Sequence, residues 1–185
     1  MIIRKATLKD SQDIAVLLLL AMEDIVYQFI NEVNYAKAQA FLLHFVEQEN
    51  NQYSYQNCWV AEENNQIIAA VNLYDGAKLN EFRAPIIQYV QTHFNTAFNP
   101  EDETEFGEFY IDTLGVRSNQ QGKGIGSKLL LFLIDEYVTQ SHKTVGLLVD
   151  EENPDAKKLY LKLGFKAVGK KTLVGKRLEH LQIKA

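Results

Sequence analysis

A glycine-rich loop, an asparagine and a tyrosine carry most of the chemistry legible in this 185-residue sequence. The loop, Gln121-Gly122-Lys123-Gly124-Ile125-Gly126, follows the apolar run ending Leu114-Gly115-Val116 and precedes a long helical pattern. The first amides of a helix lack intrahelical acceptors and the helix dipole favours negative charge there, so such a loop suits an anion. Glycine is needed where a side chain would block the approach. The spacing is neither the dinucleotide fingerprint nor a Walker loop, and a tight strand-to-helix turn that binds nothing would use the same glycines. Asn153-Pro154 opens a second helix, with asparagine as N-cap and proline in the first turn, and Gly164 closes it. Tyr160, seven residues after Asn153, lies about 10 Å further along the same face. An amide and a phenol thus look along one groove, although by spacing alone Tyr160 is equally a core aromatic beside Ala156, Leu159 and Leu163.

These residues need a scaffold, and the hydrophobic periodicity supplies one. Met1 to Lys5 suits a short strand, and Asp10 is placed to cap a helix whose face is Ile14, Leu17, Leu18 and Ala21. A second helix carries Ala38, Phe41, Leu42 and Phe45. Strands are expected at Cys58 to Glu62 and Ile67 to Tyr74, joined as a hairpin through Glu63-Asn64-Asn65-Gln66. The stretch from Asp75 to Asn99 is partly helical around Ile86, Ile87, Val90 and Phe94 and is interrupted or opened by Pro85; it is longer than a hairpin needs, suiting a lid or a subunit contact. Next come a strand from Phe109 to Val116, a helix from Gly122 to Gln140, a buried strand from Thr144 to Val149 and a helix from Asn153 to Leu163. Two weaker strands, Phe165 to Lys170 and Glu179 to Ile183, end the chain. Strands and helices interleave without repeats or linkers, so the expected class is α/β or mixed α+β around one sheet, in a single domain over 1–185.

The loop Gln121 to Gly126 matches the pattern (Gln/Arg)-x-x-Gly-x-(Gly/Ala), and Asn153 to Phe165 matches Asn-x-x-Ala-x-x-x-Tyr-x-x-x-Gly-Phe. In both motifs, and in their order, the chain resembles the GNAT superfamily of acyl-CoA-dependent N-acyltransferases, most clearly over 109–168. The resemblance implies a central, mostly antiparallel sheet with helices on both faces and one splayed parallel strand pair. It implies that the backbone of Gln121, Gly122, Lys123, Gly124, Ile125 and Gly126 holds the pyrophosphate of acetyl-CoA, and that Leu114 and Val116 offer backbone groups to the pantetheine and thioester. Asn153 would meet the cofactor arm, and Tyr160 would stand near the sulfur as general acid. The implied reaction is direct acetyl transfer to a primary amine; a non-catalytic acyl-CoA-binding sensor or interaction module is the alternative from another class.

The incoming ammonium, with a pKa near 10.4, must shed a proton. Glu108, Tyr110 and Asp112 alternate onto one face of a regular strand, and Glu108, acting through water, is the first choice of catalytic base by resemblance. The acidic run Glu101, Asp102, Glu103 and Glu105 just upstream is either a solvated loop or an attractor for a small cationic amine. The net charge of -5 argues against nucleic acid as a partner, although 153–185 carries 9 basic and 2 acidic residues. His44, His93, His142 and His180 are scattered, so no metal is expected. Cys58, the single cysteine, cannot form an internal disulfide and reads as strand core. No apolar run is long enough for a membrane span and the first residues lack the order of a secretory signal, so a cytoplasmic setting is expected. Oligomeric state is open, a homodimer being the ordinary form of a soluble oligomer.

Overall fold

The computed structural model describes residues 1–94 and 97–185. Seven strands form one sheet in the order β1-β2-β3-β4-β5-β7-β6. The strands are β1 (Ile2–Lys5), β2 (Cys58–Glu63), β3 (Gln66–Asp75), β4 (Glu108–Val116), β5 (Thr144–Asp150), β6 (Lys166–Leu173) and β7 (Lys176–Ile183). All neighbours are antiparallel except β4 and β5. The β2–β3 hairpin closes through Asn64 and Asn65, both at positive φ (52° and 60°), the conformation a two-residue turn requires and asparagine tolerates. The two weak C-terminal strand signals prove longer than expected and form a hairpin turning at Val174 and Gly175.

Helices cover both faces. On one, α1 (Ser11–Ile30), α2 (Tyr35–Val46) and α3 (Leu79–His93) bury Leu18, Phe41, Phe45 and Ile86 against Val60 and Ala70 of the sheet. On the other, α4 (Ile125–Leu133) and α5 (Pro154–Lys162) close over Val71, Ile111, Val145 and Leu147. This is the mixed sheet between helical layers that the resemblance implied. The 75–99 stretch is largely α3, with Pro85 inside it; rather than a loose lid it packs Ile86 and Val90 into the α1–α2 core.

Local details refine or add to what the sequence suggested. The helix placed from Gly122 begins at Ile125, because Gly122 and Gly124 adopt φ of +75° and form the loop. Its last part, Ile134–Gln140, winds as a π-helix. Asp10 stands at the N-cap position of α1 as expected but makes no side-chain cap hydrogen bond to it; its carboxylate accepts from the Thr7 amide (2.8 Å) and pairs with Arg4 (2.8 Å). Helix α1 is not straight, since Met22 has φ of -133° and breaks its winding midway.

Two irregularities interrupt the sheet along β4. Between Asn72 and Leu73 the β3–β4 register slips, with Asn72 opposite Thr113 and Leu73 opposite Ile111, so Asp112 is the extra residue of a bulge. And β4 pairs with β5 only from Glu108–Thr144 to Ile111–Leu147; beyond that the strands separate. Asp112 to Val116 therefore has no strand partner on the β5 side.

Candidate active site

A cavity of about 670 Å³ runs inward from the parting of β4 and β5. Its outer end is lined by Leu114, Leu148, Asn153 and Tyr160, and its inner end by Asp112, Glu103, Arg83 and Phe98. The kink of α1 forms one wall, bringing Ala21, Met22 and Ile25 to the cavity; the Thr113 hydroxyl meets the Met22 sulfur at 3.5 Å. The β6–β7 turn forms another, through Leu173, Val174 and Lys176.

At the outer end the glycine loop meets the strand end. A Cβ on Gly126 would lie 3.4 Å from Leu114 Cδ2 and 3.9 Å from Val116 Cγ2, so the start of α4 packs directly on β4. The Gln121 side chain donates to the Val116 carbonyl (3.1 Å), pinning the loop to the same strand. Above Gly122 and Gly124 nothing lies within 4 Å of where a Cβ would be, leaving the backbone open to an approaching group. The first amides of α4 have no acceptors within the helix, and Lys123 stands beside them. These features fit a pyrophosphate, and the partnerless edge of β4 fits an extended chain of alternating amides. Asn153 caps α5 by accepting from the Ala156 amide (3.1 Å) and lines the cavity, as does Tyr160. The Tyr160 ring packs edge-to-face on Phe165 with centroids 5.9 Å apart, and burial pushes its phenol above the usual value, so it remains protonated at neutral pH.

The inner end is polar and buried. Glu103 is 6% exposed and Arg83 4%; the two form an ion pair. Arg83 also donates to the Glu101 carbonyl (2.9 Å). Gln52 bridges the two carboxylates, donating to Glu103 (2.8 Å) and Asp112 (2.6 Å). Tyr74 and Thr113 donate to Asp112 as well (3.2 and 2.7 Å), and Tyr110 to Glu103 (3.3 Å). Burial first, and then the proximity of Asp112, raises Glu103 above the usual carboxylate range. Burial likewise raises Asp112.

Leu114, Asn153 and Tyr160 are thus brought together on the cavity, with Val116 and Gln121 to Gly126 at the adjoining strand end. Glu108 is not brought there. Its side chain crosses β5 over Gly146, where an added Cβ would sit 1.9 Å from the carboxylate oxygen. It is 1% exposed, accepts from Gln182 (2.7 Å) and the Glu105 amide (2.8 Å), and stands 2.8 Å from His180 Nε2. Of the three face-sharing residues of β4, Tyr110 and Asp112 line the cavity and Glu108 does not. Sequence reasoning missed Gln52 and Arg83; one of several glutamines in a polar stretch and one arginine near a proline carry no pattern. Cys58 is fully buried and its thiol is pushed up to about 12 by burial, which removes it as a nucleophile. Among the described residues no group of three or more His, Cys, Asp or Glu could hold a metal, and no helix is long and apolar enough to cross a membrane.

The sheet parts beside a glycine loop and a helix N-terminus, the arrangement that the resemblance to acyl-CoA-dependent N-acyltransferases implied. Residues 25–165 match the model of the acetyltransferase (GNAT) family, and the chain belongs to that family. A solved structure described as an acetyltransferase is 32% identical, with a TM-score of 0.82, covering 100% of this chain and 99% of that one. An N-acetyltransferase from Staphylococcus aureus Mu50 shares the fold at 23% identity and a TM-score of 0.85, covering 99% and 100% of the two chains. A Corynebacterium glutamicum structure described as histone acetyltransferase HPA2 and related acetyltransferase is 18% identical, with a TM-score of 0.72, covering 98% of this chain and 94% of that one.

Proposed function

We propose that the chain moves an acetyl group from acetyl-CoA directly to a primary amine. The observation that carries this reading is the end of β4–β5 pairing at Ile111 and Leu147, beside a loop whose glycines leave its backbone open. Gln121 to Gly126 hold the pyrophosphate through backbone amides, with Lys123 adding charge, and Asn153 meets the pantetheine arm. The backbone of Leu114 and the Val116 amide, on the side of β4 that β5 has left, align that arm and polarise the thioester carbonyl. Tyr160, kept protonated by burial, stands at the sulfur and donates as the carbon–sulfur bond breaks. A thiol of pKa about 8.5 already leaves tolerably, so Tyr160 assists departure and is not indispensable to it.

The test is thermal unfolding with and without acetyl-CoA, followed by free-thiol release with amines. At about 100 times its dissociation constant acetyl-CoA stabilises the fold by roughly 2.7 kcal/mol. Gly124→Glu, which puts a carboxylate where the pyrophosphate belongs and a side chain at a φ of +75°, abolishes the shift. Tyr160→Phe keeps the shift and lowers kcat by about 10²-fold. A shift with no turnover of any amine would favour an acyl-CoA sensor, and no shift would remove the donor site altogether.

A further inference from the structure

Resting on that reading, we propose that the acceptor is a primary amine bearing a single positive charge and a compact apolar body, its ammonium bound at Asp112 and its body held against Phe29 and Phe98. The inner cavity is asymmetric in charge. It holds one buried carboxylate, Glu103, one half-buried carboxylate, Asp112, and one guanidinium, and the guanidinium is committed to Glu103, to the Glu101 carbonyl and, at its rim, to exposed Asp102 (3.8 Å). Asp112 receives only neutral donors, from Gln52, Thr113 and Tyr74. With both carboxylates ionised the site therefore carries one negative charge in excess, which one ammonium neutralises. An ionised carboxylate held by neutral donors alone is costly in a buried setting, and a cationic ligand relieves that cost.

Elsewhere the cavity is lined by Asp150, which pairs with Lys176 (3.5 Å), by Glu152 and, beside Asp112, by an apolar wall. Ile25, Phe29, Ile86 and Phe98 are apolar, with the Phe29 and Phe98 rings edge-to-face at 4.7 Å. A second ammonium laid along that wall would lose its hydration and gain no partner, whereas an aromatic or branched hydrocarbon group gains contact area. The cavity's volume suits such a body.

Asp112 also occupies the position where the reaction must occur, at the bulge where β4 leaves β5 and two residues before Leu114. The ammonium gives one proton to the Asp112–Glu103 pair and becomes nucleophilic. As the carbon–nitrogen bond forms and the carbon–sulfur bond breaks, Tyr160 gives its proton to sulfur, nitrogen sheds its second proton to water, Tyr160 is reprotonated from solvent, and the carboxylate pair later releases the first proton. The products are the amide and the free thiol, and one proton passes to solvent. Burial holds both carboxylates above their usual range, which suits proton acceptance near neutral pH.

The experiment compares free-thiol release from acetyl-CoA with 2-phenylethylamine, isoamylamine, putrescine and spermidine, using the full chain. The two monoamines should exceed the two polyamines in kcat/KM by about 10-fold or more. Asp112→Asn should lower kcat/KM for 2-phenylethylamine by about 10²-fold or more while the acetyl-CoA thermal shift persists. Phe98→Ala should raise KM for 2-phenylethylamine with little change in kcat. Preference for putrescine or spermidine, an unaffected Asp112→Asn, or a thermal shift with no turnover of any of the four amines would each overturn the proposal while leaving the donor site standing. Absence of the shift itself would remove the donor site, and the acceptor proposal with it.

Discussion

Replacing Gly115 with alanine is expected to lower the stability of the fold by about 3 kcal/mol and to cut acetyl transfer by about 10²-fold. Gly115 lies on β4 beneath α1, and a Cβ there would stand 1.9 Å from the Leu17 carbonyl oxygen and 2.6 Å from its carbon. These are backbone atoms in the middle of a helix, so no rotamer change relieves the overlap; α1 must retreat by roughly 1 Å, against a core at close-packed density. The retreat is felt beyond stability. The next turn of α1 carries Ala21, Met22 and Ile25, the wall facing Asp112 and Thr113. A displacement of about 1 Å at a positioning wall is enough to spoil the attack geometry. Thermal melts should show a loss of roughly 10 °C. Gly169→Ala is the control, because nothing lies within 4 Å of its Cβ position and its backbone is not in the left-handed region. Equal stability of the two variants would mean that α1 does not bear on β4 as closely as the structure shows.

Removing the Glu108 carboxylate should cost about as much stability, roughly 3 to 5 kcal/mol for Glu108→Ala, yet leave kcat of the folded enzyme nearly unchanged. The carboxylate is buried and serves the Glu105 amide, Gln182 and His180, so its loss strands buried polar partners at once. Gly146→Ala attacks the same contact from the other side, because its methyl group would occupy the carboxylate's place. The two changes should therefore be markedly less than additive: once Glu108 is alanine, the methyl group at 146 has nothing left to displace. Urea unfolding of the single and double variants measures this coupling, and initial rates at saturating substrates separate stability from chemistry. A folded Glu108→Gln with kcat reduced 10-fold or more would restore the role of base that its place on β4 first suggested.

The proposed donor half of the site has local geometry that coincides with local sequence, so its conformation was legible. Gly122 and Gly124 adopt a φ that glycine alone adopts freely, Asn153 caps its own helix three residues on, and Tyr160 follows two turns later on the same face. The acceptor half was not legible, because its residues meet only through tertiary packing. Gln52 reaches Asp112 across 60 positions and Arg83 reaches Glu103 across 20, with no periodicity to announce either. Glu108 shows the same limit from the other side. Alternation correctly grouped it with Tyr110 and Asp112, but the absent side chain of Gly146 lets it reach across a strand to residues more than 70 positions away. The ends of the first five strands were read to within a residue, and β6 and β7 each fell three residues short at their shared turn, whereas the β4 bulge and the kink at Met22, which shape the cavity, leave no sequence mark.

The parting of β4 and β5 also has a mechanical meaning. Among the described residues four pairs join β1–β4 to β5–β7 by strand pairing, and all lie at one end of the seam, where Glu108 clasps His180 and Gln182 across β5. The sheet is thus a clothes-peg: a short fastened jaw, two free arms, and a grip on whatever lies between them that depends on how firmly the fastening holds.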